Sequence, residues 1–169
     1  MSTLAKAFDT LFLGRAAHLA WHEALASSPP QGLPVSAGGR GEGTPAGAAH
    51  AYLSAAIDGL RAAGRLQHIP SGLLARAAFR RDCKDLTGAE ADLIEAHRIA
   101  SRGGMRLHLA DCYLEWGRLV LAHDGALANP DNRRHLYSCT MAARDLIEAT
   151  GYHRRDAALA ALRAALGTA

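Results

Sequence analysis

The stretch Arg102-Gly-Gly-Met-Arg-Leu-His-Leu-Ala-Asp-Cys-Tyr-Leu-Glu-Trp-Gly-Arg118 decides how the chain is read, because it sets a histidine, an aspartate and a cysteine within five residues. It offers either a metal site or the front helix of a repeated unit. His108 and Cys112 share one helical face at i, i+4, with Asp111 beside them at i+3. A zinc site needs three or four converging ligands, and no second half with matching Cys or His spacing occurs elsewhere in the sequence. The helical reading accounts for more residues. Leu107, Leu109, Ala110, Tyr113, Leu114, Trp116 and Val120 are placed to pack on two neighbours, with Cys112 at the small position between helices. His108, Asp111, Glu115 and Arg118 then form the remaining polar stripe.

Outward from this helix the punctuation is regular. Gly103-Gly104 ends a helix over Thr87 to Arg102, and one over Ser71 to Leu86 precedes it after a very short join. Toward the N-terminus, residues 46 to 64 form a helix with Tyr52, Leu53, Ala56, Ile57 and Leu60 inward, and residues 3 to 26 form an amphipathic one through Leu4, Phe8, Leu11, Phe12, Leu19 and Leu25. Between them the Gly/Pro-rich segment 27–46 has almost no large apolar side chain and cannot offset its ordering entropy by burial, so it reads as a loop. Toward the C-terminus, Asn129 is an N-cap with Pro130 at the first helical position, that helix ends near Gly151, and Asp156 to Leu166 is a last alanine-rich helix.

Composition agrees with an all-α chain. The 169 residues are 49% hydrophobic but only 5% aromatic, rich in alanine and leucine and poor in β-branched residues, which suits one helical domain over 1–169. The net charge of +3 comes almost wholly from arginines interleaved with acids, which argues against a nucleic-acid partner, as does the shortage of aromatic rings for base stacking. Cys83, Cys112 and Cys139 are odd in number and sit in helical patterns, as small hydrophobes in a reducing compartment do. Asp9 and Arg15 interrupt the N-terminal apolar run, so neither a signal peptide nor a membrane span is expected, and the protein is read as cytoplasmic.

Seven helices in this order make three hairpins and one leftover. In the middle pair Ala77, Lys84-Asp85-Leu86, Ala89, Leu93 and Ala96 stand at small, turn, small, large and small positions, and here the chain resembles a tetratricopeptide-repeat (TPR) protein. The phrases Gly59-Leu-Arg-Ala-Ala-Gly-Arg-Leu-Gln-His-Ile-Pro-Ser-Gly-Leu-Leu-Ala-Arg-Ala77 and Ile99-Ala-Ser-Arg-Gly-Gly-Met-Arg-Leu-His-Leu-Ala-Asp-Cys112 are similar to the C-terminal TPR arrays of bacterial multidomain signalling proteins, STAND-type ATPases and their relatives. The resemblance implies a helical-hairpin solenoid of about three repeats at 3–64, 70–102 and 105–150, closed by a capping helix at 153–167. It also implies a scaffold that holds a partner peptide or helix in its concave groove, without cofactor. No phosphate-binding Gly-x-x-x-x-Gly-Lys-Ser/Thr motif is present, so the ATPase function of such proteins does not carry over.

Aligning the third and fifth helices at an offset of about 35 residues lays Arg76 over Asp111 and Arg80 over Glu115. This predicts a groove with a basic and an acidic wall, a floor at Leu74 and Ala78, and His108 and Arg118 alongside. The expected partner is another protein or a larger host assembly. The N-terminal helix adds a second candidate surface through Phe8, Leu11, Phe12, Leu13 and Trp21, more apolar area than one partner helix usually covers, and so a candidate for self-association. The alternative function is a helical-bundle metalloprotein or metal-dependent enzyme. His18 and His22 are spaced i, i+4, but Glu23 lies outside the pair, unlike His-Glu-x-x-His, so a third ligand is sought from His50, His68 or His97. No nucleophile elbow or paired-carboxylate pattern marks an enzyme of another kind.

Overall fold

The computed structural model describes residues 2–27 and 44–167; among them every regular element is helical. The seven α-helices are α1 (Thr3–Ser27), α2 (Pro45–Ala62), α3 (Ile69–Asp82), α4 (Leu86–Arg102), α5 (Arg106–Leu121), α6 (Pro130–Thr150) and α7 (Asp156–Ala165), with single 3₁₀ turns at Leu66–His68, Ala126–Ala128 and His153–Arg155. Most of the Gly/Pro-rich segment 27–46 lies outside the described residues.

Local chemistry sets the helix ends. Thr44 caps α2 by accepting from the Gly47 N–H at 3.0 Å, and Asn129 caps α6 by accepting from Asp131 at 2.9 Å. The join between α3 and α4 differs from the sequence reading, which ran the third helix to Leu86. Lys84 adopts a left-handed φ of 61°, and the Asp85 N–H returns to the Arg80 carbonyl at 2.8 Å, closing α3 at Asp82. Asp85 then turns its carboxylate to the Gly88 N–H at 3.1 Å and starts α4. Cys83 consequently lies in this turn and is exposed, not packed among apolar neighbours, while Cys112 and Cys139 are buried.

The strongest packing is within consecutive pairs: α1 with α2, α3 with α4, and α5 with α6. Each first helix also touches the next first helix, α1 to α3, α3 to α5 and α5 to α7, and each second helix touches the first helix of the following pair. The core follows this order as adjoining clusters. Leu11, Leu53, Ala56 and Phe79 lie at one end; Ile57, Leu60, Leu73, Ala96 and Cys112 join α2 to α5; Leu114, Leu136, Ile147, Leu159 and Leu162 close the other end. Each fully buried leucine or isoleucine contributes about 1.5–3 kcal/mol relative to exposure.

Small residues let the backbones approach. Ala77, Ala89 and Ala96 are buried between helices. A Cβ on Gly14 would stand 2.8 Å from Leu53 Cγ, and one on Gly117 would stand 2.6 Å from Leu162 Cδ1, so glycine sets the α1–α2 and α5–α7 spacing. Two side chains expected to pack inward depart from the sequence reading here: Tyr52 and Leu107 are exposed.

Candidate functional site

The first helices of the pairs present a common polar face. On α1 it carries Arg15, His18 and His22; on α3, Ser71, Leu74, Ala75 and Asp82; on α5, His108, Asp111, Glu115 and Arg118. All follow the three- and four-residue steps of a helix. Part of this face encloses a cavity of about 480 Å³, lined by Arg15 from α1, Ser71, Leu74 and Ala75 from α3, Leu107, His108, Asp111, Leu114, Glu115 and Arg118 from α5, and Tyr152, Arg154 and Arg155 from the turn before α7.

Two lines of polar contacts cross the face. In the first, Arg15 donates to the Ser71 carbonyl at 3.3 Å, and the Ser71 hydroxyl meets His108 Nε2 at 3.1 Å. Beside them Asp111 accepts from Arg155 Nε at 2.6 Å and from the Tyr152 hydroxyl at 3.1 Å. The Arg154 guanidinium lies 4.6 Å from the Tyr152 ring centre, a cation–π arrangement. In the second line His18 and His22 each place Nε2 2.9 Å from Asp82 Oδ2, Arg81 donates to Asp82 Oδ1 and to Glu115, and Arg118 donates to Glu115 at 3.1 Å. The second line therefore ties α1 to α3 and α3 to α5 through side chains alone.

The surroundings tune these groups. Burial lowers the pKa of Arg15, and the nearby Arg155 charge adds to this while Asp111 opposes it. Burial also lowers His108, helped by His68 and opposed by Asp111, which favours the neutral imidazole. The hydrogen bond to Asp111 raises Arg155. Burial by itself would raise the Asp82 carboxyl, yet the His18 hydrogen bond, the Arg81 charge and the His22 hydrogen bond outweigh it and hold the group well below the carboxylate range. Burial, reinforced by Asp111 and Glu115, pushes the Cys112 thiol up to about 12, so it stays protonated and chemically quiet.

Of the residues proposed from sequence for the groove, Leu74, His108, Asp111, Glu115 and Arg118 line the cavity. Arg76 and Arg80 do not. Arg76 grips Asp92 of α4 in a two-point contact at 2.9 and 2.7 Å and reaches Ser54 of α2 at 3.2 Å. Arg80 donates to the same carboxylate at 2.9 Å and to the Gly88 carbonyl at 3.0 Å. The offset alignment placed them on the groove wall, but their side chains turn into the α3–α4 pair, where Asp92 is buried. Ala78 is half-buried and outside the cavity lining.

The apolar surface of α1 also divides. Phe12 is 73% exposed, Leu13 49% and Phe8 39%, with the Phe8 ring edge-on to His68. Leu11 is buried against Leu53 and Phe79, and Trp21 is partly covered by His18, His22 and Phe79, so neither belongs to an open interface. The residue that joins the His18/His22 pair is Asp82, not His50, His68 or His97. His68 packs edge-on with Phe8, and His97 Nε2 meets the Tyr113 hydroxyl at 3.3 Å.

Sequence reasoning missed Arg15, Asp82, Tyr152, Arg154 and Arg155. A signal for Arg15 was available: it precedes His18 and His22 by three and seven residues, on the same helical face. No protein-family profile matches this chain, and no curated protein or solved structure matches it either.

Proposed function

We propose that this chain is a TPR-like helical-hairpin solenoid that serves as a protein-interaction module, holding a carboxylate-bearing peptide or helix of a partner against the face of α1, α3 and α5, as one component of a larger bacterial signalling or regulatory assembly. The observation that carries this reading is the charge balance of the cavity. Four arginines and two carboxylates line it. Asp111 is engaged by Arg155 and Tyr152, and Glu115 by Arg81 and Arg118. Among the described residues Arg15 and Arg154 pair with no carboxylate; each spends Nη2 on a neutral oxygen, the Ser71 carbonyl and the Tyr152 hydroxyl, and its remaining donors are available to a ligand's carboxylate. Leu74, Leu107 and Leu114 supply apolar contact beside them, the mixture that peptide grooves use. The stepwise contacts of first helices with first helices support the solenoid reading.

The test is binding of partner protein and of acidic peptides to the wild type and to the pair Arg15→Glu with Arg154→Glu. Affinity falls by ~10-fold or more in the pair while helicity is retained. Equal affinity for both proteins would sink the reading.

A second interface rests on the outer side of α1, where Phe12, Leu13 and Leu19 are 73%, 49% and 65% exposed. This surface suits self-association or docking on the host assembly. Light scattering after size exclusion decides between a dimer that Phe12→Ser dissolves and a monomer at all concentrations, which counts against self-association.

A further inference from the structure

We infer that His18, His22 and Asp82 form a binding site for one divalent transition-metal ion of the zinc class, which ties α1 to the C-terminal end of α3. The ligand atoms of the three side chains lie within 4.8 Å of one another, and Asp82 Oδ2 is 2.9 Å from Nε2 of each histidine. Two donors bound to one ion at about 2.1 Å stand about 3.0–3.4 Å apart, so each histidine–carboxylate pair accommodates an ion by opening a few tenths of an ångström. Two imidazoles and a carboxylate favour Zn²⁺, Fe²⁺, Co²⁺ or Ni²⁺ over Mg²⁺ and Ca²⁺, which take oxygen ligands.

The neighbours behave as support for such a site. Arg81 donates to the other carboxylate oxygen at 2.9 and 2.7 Å, which fixes Oδ2 toward the histidines, and its charge is shared with Glu115. The Phe79 ring stands edge-on to His18 at 5.3 Å, and Trp21 lies 5.1 Å from His22, forming an apolar wall. His18 and Asp82 are 15% and 16% exposed while His22 is 47% exposed, so the ion has an entry path on the His22 side. Without metal, both Nε2–H groups donate to one oxygen. The ion takes the place of these two protons, each neutral imidazole moving its proton from Nε2 to Nδ1, so no bond other than N–H breaks. Three protein ligands leave a further coordination position for water. The arrangement ties helices together and requires no reaction.

The experiment is a Zn²⁺ calorimetric titration and a Co²⁺ absorption titration of the chelator-treated, reduced full chain. One ion binds per chain with a visible Co²⁺ band, binding is lost in His22→Ala and in Asp82→Asn, and it persists in Cys83→Ser. His22 is exposed, so its replacement leaves the helices intact by circular dichroism even where Asp82→Asn does not. No saturable binding, binding unchanged in His22→Ala, or binding that disappears in Cys83→Ser overturns the site; the last would assign the ion to the exposed thiol beside Asp82.

Discussion

Asp92 and Asp111 are alike in chemistry and opposite in use. Each accepts from two partners, Asp92 from Arg76 and Arg80 and Asp111 from Arg155 and Tyr152. Asp92 is enclosed between α2, α3 and α4; its arginines also donate to Ser54 and the Gly88 carbonyl, and their one buried donor left without a hydrogen bond, Arg80 Nε, faces Asp85 at 3.7 Å inside the cluster. Asp111 lies at the cavity lining, where Arg15 and Arg154 add cationic donors beyond those the carboxylates engage. The same two residue types thus build a strut in one place and line an open cavity in the other. Whether the left-over donors face the cavity or lie buried separates the two, more than the count of charges.

Breaking the strut is expected to cost most. Asp92→Ala leaves two half-buried guanidinium groups without their carboxylate and lowers stability by about 3–5 kcal/mol, measured by urea unfolding. Arg76→Glu with Arg80→Glu fails in the same way, since it sets three carboxylates together; a variant that kept its melting temperature would show the strut to be dispensable. Asp82 comes next. Its folded carboxyl titrates below the unfolded value near 4, so the stability it contributes is complete above about pH 4 and is lost as pH falls from there toward the lowered folded value. Asp82→Asn should remove about 1–2 kcal/mol at neutral pH and flatten the acid limb of urea midpoint against pH.

Asp111 is more accessible, and Asp111→Asn should lower stability by only about 1 kcal/mol while altering ligand affinity, read by calorimetry against thermal unfolding. Smallest in stability is Arg15→Glu with Arg154→Glu, expected within about 0.5 kcal/mol of wild type despite its large effect on binding. A double variant that unfolded would erase the distinction between strut and surface.

The all-α class was legible because alanine and leucine recur at helical spacing between glycine and proline breaks, and the Asn129-Pro130 start could be read from capping chemistry alone. The end of α3 could not be read. Lysine is not a residue that announces a left-handed turn, and Arg81-Asp82-Cys83-Lys84 continues a good helical pattern. The face of α5 was legible from its polar stripe. The assignment of Arg76 and Arg80 to the same groove was not, because an offset between two helices fixes height along the axis but leaves rotation free. Asp82 lies sixty residues from His22, a pairing that depends on how α1 crosses α3 and that no local spacing encodes.

The three thiols offer a practical handle. Cys112 and Cys139 are buried and their thiols are pushed up to about 12 and about 11, whereas Cys83 is exposed in the α3–α4 turn. A maleimide dye offered near neutral pH should therefore attach at one position and leave the interior thiols unmodified. Sitting next to Asp82, the dye would turn events at the α1–α3 crossing into a change of emission, without a single substitution in the chain.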